Sequence, residues 1–350
     1  MPYSANALTA LCQTLLQRQG MDAVVARDTA EVLVEGDLLG HSTHGLQLLP
    51  RYLEAIGNGA LAMNGSPSVV SDHGASFCWD GGYLPGAHLM RQAITEARTR
   101  LATAPVVTVV LRRSGHIGCL AAYPLAVAEA GLMMVMCSSD PAVAPVAPHG
   151  ATEGVLTPNP IAAGWPTEGD PVVLDVCPSS TTAGMVGRAA RTGTDLSGAW
   201  LIGADGVATN DPSVLKRKGG GAILPLGGRE LGHKGFALAL LVEALTMGLG
   251  GFGRADGVRQ EGAAVFFQLI DPGRFGGGGA FRRETGWVAD ASRGARPMPG
   301  GETVRMPGAR GIESKRRQLE NGVTLHPDAQ ASFAALVASA GLVMPPHIGS

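Results

Sequence analysis

The spacing of apolar positions divides the chain into a helical beginning and a longer part in which strands and helices alternate. Before residue 59, apolar side chains recur at steps of three and four, the period of an amphipathic helix. Three helices are predicted there, over residues 4–19, 26–39 and 46–56. Asp22 stands where it could cap the second of them. The alternation that follows is typical of an α/β protein.

Farther along the chain, apolar and β-branched runs are bounded by glycine, proline and polar residues. They predict a hairpin over residues 68–79 and buried strands at residues 105–111, 131–138, 171–176 and 263–270. Helical patterns cover residues 87–100, 119–130, 236–248 and 327–340, and a charged helix ends at residue 320. Residues 188–221 and 276–279 look like loops, with a small hairpin signal at 204–206. The helix over 236–248 is apolar almost all round, which predicts burial on every side.

Polar side chains interrupt the helical pattern in the run Gly40-His41-Ser42-Thr43-His44-Gly45. His44 is predicted at a helix-to-helix junction, within about two turns of Arg51 and Tyr52. Histidine titrates near neutrality and often acts as an acid or base. A histidine at a capped helix corner can also simply satisfy a backbone carbonyl, and both interpretations stay open for this run.

Other polar residues follow predicted strands, where α/β proteins commonly bind ligands. His116 follows the strand at 105–111, and two prolines fix the backbone around Asn159. Asp175 ends the strand at 171–176, where it is either a buried functional carboxylate or a helix cap. Lys234 stands at the entrance of an apolar helix, where it either binds an anion or extends toward solvent.

Composition narrows the classes of protein and partner. Hydrophobic residues make up 45% of the chain and charged residues 16%, which indicates extensive burial and a homo-oligomer. The net charge of −2, without a basic stripe, argues against nucleic acid or an anionic membrane as partner. The five scattered cysteines lack CxxC spacing, so we expect reduced thiols and no metal site. Without an apparent signal segment, a cytoplasmic location is expected.

The glycines at residues 248–253 match the GxGxxG spacing of dinucleotide-binding folds. That motif requires a strand before it and a helix after it, whereas here it follows a long helical pattern. We therefore interpret these glycines as a helix end. No other phosphate-binding fingerprint is present in the sequence.

Five motifs, in order along nearly the whole chain, resemble the malate/L-lactate dehydrogenase family. That family also contains ureidoglycolate, sulfolactate and diketogulonate dehydrogenases and piperideine-carboxylate reductases. The matching motifs are Thr43-His44-Gly45 with Tyr52, Ser114-Gly115-His116-Ile117-Gly118, Asn159-Pro160-Ile161-Ala162, Asp175-Val176-Cys177-Pro178-Ser179 and Lys234-Gly235-Phe236.

The resemblance implies a homodimer with an α/β, family-specific, non-Rossmann NAD(P)-binding fold, which has an N-terminal helical segment and a central mixed sheet. On this basis we divide the chain into four segments. They are an N-terminal helical segment carrying the His44 turn (1–65), a connecting α/β segment (66–115), a cofactor-binding α/β domain (116–305) and C-terminal helices that pack back on the N-terminal part (306–350).

The resemblance also implies roles for individual residues. His44 or His116 would donate the proton to the reduced substrate, while Asp175 would steady that imidazole and raise its pKa. Thr43, Arg51 and Tyr52 would bind the substrate. The nicotinamide cofactor would be lined by His116, Ser139, Asn159, Pro160, Asp175, Val176, Cys177, Pro178, Ser179, Ser180, Thr181, His233, Lys234, Pro307, Gly308 and Ala309.

The chain departs from the family pattern at two positions. Thr43 replaces the usual serine, which keeps the hydroxyl but restricts its rotation. Leu48 stands where the family often carries an arginine that holds the substrate carboxylate. We expect Arg51, one helical turn later, to take over that contact.

The predicted activity is the NAD(P)H-dependent interconversion of a small 2-oxo acid and a 2-hydroxy acid, with a carboxylate substrate. An alternative is the reduction of a cyclic ketimine carboxylate, and a further one is a homologue that binds ligands without catalysis. The sequence does not choose between NAD and NADP. Candidate 2′-phosphate partners are Arg188, Arg191 and the run Lys216-Arg217-Lys218, but the simpler interpretation of each is a solvent-exposed charge.

Overall fold

The apolar runs form one seven-stranded sheet with a smaller sheet beside it. The computed structural model describes residues 2–217 and 220–348. Its strands are β1 (Ser68–Asp72), β2 (Ser76–Asp80), β3 (Val106–Ser114), β4 (Met133–Ser139), β5 (Ile161–Trp165), β6 (Val172–Val176), β7 (Leu201–Gly203), β8 (Ala208–Thr209), β9 (Gly221–Ile223) and β10 (Ala263–Ile270). Its α-helices are α1 (Ala5–Arg18), α2 (Ala23–Leu38), α3 (Leu49–Gly57), α4 (Gly86–Arg100), α5 (Ala122–Glu129), α6 (Ala183–Thr192), α7 (Gly228–Glu243), α8 (Gly278–Arg293), α9 (Ala309–Asn321) and α10 (Pro327–Ser339).

The large sheet is mixed, and its strand order is β1-β2-β3-β10-β4-β5-β6. β2 and β3 are parallel and joined by α4, whereas all other neighbours are antiparallel. β10 comes last in sequence but lies between β3 and β4, where Phe267 is fully buried. The predicted α/β class with a central mixed sheet is therefore confirmed.

The strand register brings four polar loops to one end of this sheet. Ala263 pairs with Ser114 at the end of β3, and Ala264 pairs with Ser139 at the end of β4. β5 begins at the same end, and its Ala162 pairs with Asp175 near the end of β6. The loops that carry the predicted site residues consequently start or finish close together.

The N-terminal helices form their own hydrophobic cluster. The Asp22 carboxylate accepts a hydrogen bond of 2.8 Å from the Val24 amide, so the predicted cap of α2 is confirmed. Residues of the C-terminal part, among them Phe333 and Val337 of α10, are buried in the same cluster. The first and last parts of the chain thus share one core.

Several local predictions need correction. α6 and α8 form where loops were expected or no element was assigned, and β5 was not predicted because its Ala-Ala-Gly run has weak strand propensity. The predicted hairpin around residues 204–206 is confirmed by the antiparallel pair β7 and β8. The glycines at 248–253 follow a π-helical turn that continues α7, so a helix and not a strand leads into them, as predicted.

The prediction that the apolar helix is buried on every side is wrong. α7 begins earlier than expected, and the side chains on one face reach solvent in this single chain: Leu238, Leu240 and Leu241 are 41–51% exposed. Among the described residues, no helix is long and apolar enough to cross a membrane.

Candidate active site

A buried carboxylate supports the turn that carries His44. Oδ2 of Asp37, at the end of α2, accepts a hydrogen bond of 2.8 Å from the Leu46 amide. A Cβ on Gly45 would lie 2.3 Å from Oδ1 of Asp37, and one on Gly36 would lie 2.7 Å from the His44 carbonyl oxygen. Only glycine allows so close an approach at these two positions. Burial raises the pKa of Asp37 to about 7, although the Leu46 hydrogen bond opposes this shift.

The turn and the loop after β3 bring the two predicted histidines together. The ring centroids of His44 and His116 are 5.8 Å apart, and the ring planes are inclined by 19°. Oγ1 of Thr43 lies 3.0 Å from Nδ1 of His44. The Tyr52 hydroxyl donates a hydrogen bond of 2.8 Å to the His116 carbonyl oxygen, which ties α3 to the loop. Residues from two distant parts of the chain therefore form one cluster.

Both imidazoles are held in the neutral form. Burial, followed by the nearby His41, lowers the pKa of His44 to about 4. Burial, followed by His44 and Arg51, lowers the pKa of His116 to about 3. Nδ1 of His116 also accepts a hydrogen bond of 3.1 Å from the Gly118 amide, which places the proton of the neutral ring on Nε2. The expected rise in the histidine pKa is wrong, because burial and the neighbouring cationic groups all lower the pKa of these rings.

Asp175 does not pair with either of these histidines. Its carboxylate accepts a hydrogen bond of 3.1 Å from the Ala121 amide, and the charge that lowers its pKa most is that of His41. Burial nevertheless leaves the pKa of Asp175 raised. No hydrogen bond between Asp175 and His44 or His116 is present in the described part of the chain, so the expected pairing is not observed. The imidazole that lies beside Asp175 is that of His41.

His41, Cys119 and Asp175 form a cluster that the sequence did not reveal. They bring one nitrogen, one sulfur and one carboxylate oxygen within 4.8 Å of one another. His41 follows α2, Cys119 precedes α5 and Asp175 lies near the end of β6, so no local spacing could have identified the three residues. Burial is the main cause that raises the pKa of the Cys119 thiol, which keeps the thiol protonated.

Ser139 and Asn159 meet on one partly buried carboxylate. Oε1 of Glu243, at the end of α7, accepts 2.9 Å hydrogen bonds from both side chains, and Arg254 pairs with the same carboxylate. Asn159 has a positive φ of 53° and is fully buried, while its Oδ1 has no hydrogen-bond partner. Glu243 was missed, although a single acid in a long apolar helix was the signal that could have found it.

The two arginines nearest the His44 turn differ in their partners. Arg51 pairs with Glu261, and both side chains are more than half exposed. Leu48 packs against the N-terminal hydrophobic cluster. Arg188 of α6 is partly buried, and its Nη2 donates hydrogen bonds to Gln47 Oε1 at 3.0 Å and Ser42 Oγ at 3.3 Å. The interpretation of Arg188 as an exposed surface charge is therefore wrong.

The sequence matches the malate/L-lactate dehydrogenase family over residues 3–333. The chain belongs to this family. It is 31% identical to the malate dehydrogenase of Pyrococcus horikoshii, with 89% of this chain and 88% of that protein covered. It is 30% identical to the Δ1-pyrroline-2-carboxylate/Δ1-piperideine-2-carboxylate reductase of Pseudomonas putida, with coverage of 91% and 92%.

A solved structure shows the same fold. The malate dehydrogenase of Entamoeba histolytica superposes with a TM-score of 0.91 over 99% of both chains, at 23% sequence identity. As a member of the malate/L-lactate dehydrogenase family, the protein is an oxidoreductase, and its family uses a nicotinamide cofactor. The predicted family and enzyme class are therefore confirmed.

Several of the predicted cofactor residues fall into two groups. Asp175, Pro307 and Gly308 line a cavity of about 1440 Å³, which also reaches His41 and Ser42. The second group lies in the loop after β6, which is hydrogen-bonded to the segment just before α7. There the Leu226 amide donates to the Pro178 carbonyl oxygen at 2.8 Å, and the Ser180 hydroxyl donates to the Pro225 carbonyl oxygen at 2.8 Å.

The remaining predicted cofactor residues vary in burial. Ser179 and Thr181 are buried, Cys177 is partly buried, and Val176 is 51% exposed. His233 and Lys234 are exposed on α7, and Ala309 begins α9. Of the candidate phosphate partners, Arg191, Lys216 and Arg217 are exposed, and Lys218 lies outside the described residues.

Two features fit a nicotinamide cofactor. The Asn159 Oδ1 is a buried acceptor that a ligand amide could satisfy. Gly308 has a φ of 83°, and a Cβ there would lie 2.8 Å from the Val173 carbonyl oxygen. The backbone of this turn, without a side chain at Gly308, therefore packs directly against β6 beside Asp175.

Proposed function

We propose that the protein catalyses the NAD(P)H-dependent interconversion of a small 2-oxo acid and the corresponding 2-hydroxy acid. The observation that carries this proposal is the pair of neutral imidazoles, His44 and His116, at the end of the sheet where the polar loops meet. A carbonyl or hydroxyl group requires a proton acceptor or donor beside it, and histidine suits that role.

In this proposal the residues of the chain hold the substrate and move its proton. When bound, a nicotinamide cofactor would supply the hydride-transfer chemistry in both directions. A neutral His44 or His116 takes the hydroxyl proton of the 2-hydroxy acid, and the imidazolium returns it to the carbonyl oxygen in reduction. Thr43 orients the His44 ring, and Tyr52 holds the loop that carries His116. Arg51 lies close enough to His116 to lower its pKa and would attract an anionic substrate.

We propose that the residues implied by the family resemblance hold the cofactor. Asp175 to Thr181, Pro307, Gly308 and Ala309 would contact one part of it, and Asn159 with His116 would lie beside its reactive ring. Ser139 and Pro160 would keep Asn159 in place. His233 and Lys234 would approach the cofactor from α7. Arg191 and Lys216, both exposed, are the candidates for a 2′-phosphate and hence for NADP.

Reduction of a cyclic ketimine carboxylate is the second candidate function. The relative from Pseudomonas putida carries that activity in its name and matches this chain over most of its length. Such a substrate has the same carboxylate beside the reacting carbon, and the atom that receives the proton is nitrogen instead of oxygen.

A substrate panel tests the proposal. Oxidation of NADH and of NADPH is followed with pyruvate, oxaloacetate and Δ1-piperideine-2-carboxylate. Turnover of a 2-oxo acid supports the main proposal, and turnover of the ketimine alone supports the second. Binding of the reduced cofactor, followed by its fluorescence, without turnover of any panel member would contradict both.

We further propose a homodimer in which α7 lies at the subunit interface. Leu238, Leu240 and Leu241 are 41–51% exposed and follow one another along the same helix. Contiguous exposed apolar side chains of this size are uncommon on a monomer. A second copy of the chain, related by twofold symmetry, would cover them and place Lys234 near the interface.

We also propose a cytoplasmic location. All five cysteines are free thiols, and four of them are buried. Free thiols persist in reducing compartments, and a nicotinamide-dependent enzyme finds its cofactor there. Fractionation of the source cells, with activity measured in each fraction, tests this point.

A further inference from the structure

Position 48 does not serve as a carboxylate contact in this chain. Leu48 packs against the cluster formed by the N-terminal and C-terminal helices. If the substrate is a 2-oxo acid, its carboxylate still needs a cation, because an unpaired buried carboxylate is costly. The described residues offer two arginines at the His44 turn, Arg51 and Arg188.

Arg51 already has a carboxylate partner. Its guanidinium pairs with Glu261, and 56% of the Arg51 side chain is exposed. To bind a substrate carboxylate it would have to give up this ion pair or share its charge. A contact made mostly in solvent is also weak, because water screens the charges.

Arg188 is in the opposite situation. It extends from α6 to the His44 turn, where Nη2 donates to Gln47 and Ser42, both of which are neutral. Among the residues described by the structure, no carboxylate lies within ion-pair distance of its guanidinium. Its Nε is buried and has no acceptor. A buried donor left without an acceptor, on an uncompensated charge, is destabilising until an anion binds.

The position of Arg188 is fixed by its own helix. Val186 and Ala189 on either side of it are buried in the cluster beside the small sheet, so α6 cannot rotate without exposing them. The two acceptors, Ser42 and Gln47, flank His44 in the chain. The guanidinium is therefore held against the turn that presents the proposed proton donor.

We propose that Arg188 binds the substrate carboxylate, with its unpartnered Nε as one of the donors. This inference rests on the proposed function, since it specifies the substrate contact of the same site. A planar guanidinium binds a carboxylate through two parallel hydrogen bonds, which fixes the orientation of the acid as well as its charge. The contact missing at Leu48 is thus supplied from α6, a different element of the fold.

Kinetics of Arg188→Met and Arg188→Lys test the assignment, with Arg98→Met as the control. Arg98 lies on α4, is exposed and makes none of these contacts. With the 2-oxo acid or ketimine that the wild type turns over, Arg188→Met should raise KM about a hundredfold, with a smaller change in kcat. Arg188→Lys should recover part of this loss, and Arg98→Met should behave as the wild type. The dissociation constant of the reduced cofactor should stay within about twofold in all variants.

A binding measurement separates this inference from the proposed function. Oxalate is titrated into each protein saturated with reduced cofactor, and the cofactor fluorescence is followed. Weaker oxalate binding in Arg188→Met alone supports the carboxylate contact, even if the wild type turns over no member of the panel and the proposed function fails.

Three outcomes would overturn the assignment. The first is an unchanged KM and oxalate affinity in Arg188→Met. The second is a raised KM and weaker oxalate binding in Arg51→Met but not in Arg188→Met. The third is a fall in kcat of Arg188→Met without a change in KM, which would show that Arg188 only supports the His44 turn. If Arg188→Met is unfolded by circular dichroism, Arg188→Gln replaces it, because the amide keeps a donor for Gln47.

Discussion

The imidazole rings of His44 and His116 lie face to face, with centroids 5.8 Å apart, although one belongs to the turn after α2 and the other to the loop after β3. Burial is the main cause of the low pKa of both rings, and the nearby His44 lowers the pKa of His116 further, since a charge on one ring disfavours a charge on its neighbour. The pair can therefore hold one proton more easily than two. This relationship determines what several variants should do.

Replacing either histidine by alanine should strongly reduce turnover. His44→Ala and His116→Ala should each lower kcat by about a hundredfold or more, because general acid-base catalysis contributes that much. Steady-state rates in both directions measure the effect. His73→Ala, at an exposed position in the turn between β1 and β2, is the control. A variant that kept near-normal turnover would show that its histidine is structural.

The lowered histidine pKa values predict an asymmetric pH dependence. The pKa of His44 is about 4 and that of His116 about 3, so both rings are neutral between pH 6 and 8. At saturating cofactor, kcat/KM for oxidation should be nearly constant over that range, because the base is already unprotonated. Over the same range, kcat/KM for reduction should rise about tenfold for each decrease of one pH unit, because the imidazolium becomes more abundant. A histidine inflection near pH 6.5 in the oxidation profile would contradict this prediction.

Asp37→Asn should change the pH dependence of stability. The pKa of Asp37 is about 7 in the folded protein against 3.8 for an unperturbed aspartate, so the folded state binds more protons between these values. The contribution of Asp37 to stability is therefore fully present below pH 3.8 and is lost as the pH rises to about 7. The melting temperature of Asp37→Asn, relative to the wild type, should increase from pH 5 to pH 8. Asp205→Asn, in an exposed turn, serves as control, and a difference independent of pH would argue against the raised pKa.

Gly308→Ala tests the proposed cofactor turn. Its Cβ would lie 2.8 Å from the Val173 carbonyl oxygen, so the turn would have to move away from β6. We expect the dissociation constant of the reduced cofactor, measured by fluorescence, to rise about tenfold, which corresponds to about 1.4 kcal/mol. Gly300→Ala is a matched control, because Gly300 also has a positive φ but no atom lies near its Cβ. Equal cofactor affinity in the two variants would place the cofactor elsewhere.

Leu240→Asp tests the homodimer. A charge at this exposed leucine of α7 would be buried without a partner in the proposed interface, so the variant should be monomeric when the wild type is dimeric. Light scattering after size-exclusion chromatography gives the mass. Val207→Asp, at a position 57% exposed in the β7–β8 turn, should leave the mass unchanged. A monomeric wild type would exclude the proposed interface.

Much of the local structure could be predicted because it depends on neighbouring residues. The Asp22 cap bonds an amide two residues away, and the hairpin at 204–206 joins strands that adjoin it. The glycines at 248–253 could be excluded as a dinucleotide loop from the helical pattern before them. The apolar pattern also placed His116 after one predicted strand and Asp175 at the end of another, since a buried strand has to end before a polar loop can begin.

The sequence by itself determined the α/β class, the strands that carry polar loops and the residue types available for proton transfer. Only the tertiary structure decided which of them meet. Asp175 lies beside His41 and not beside His44 or His116, Glu243 holds Asn159, and the guanidinium of Arg188 reaches Gln47 across 141 positions of the chain. Such partnerships follow from the order of strands in the sheet and the packing of helices around it. No local pattern encodes them. The free energy of burying a polar group depends on its hydrogen-bond or charge partner, and in these cases that partner is distant in the sequence.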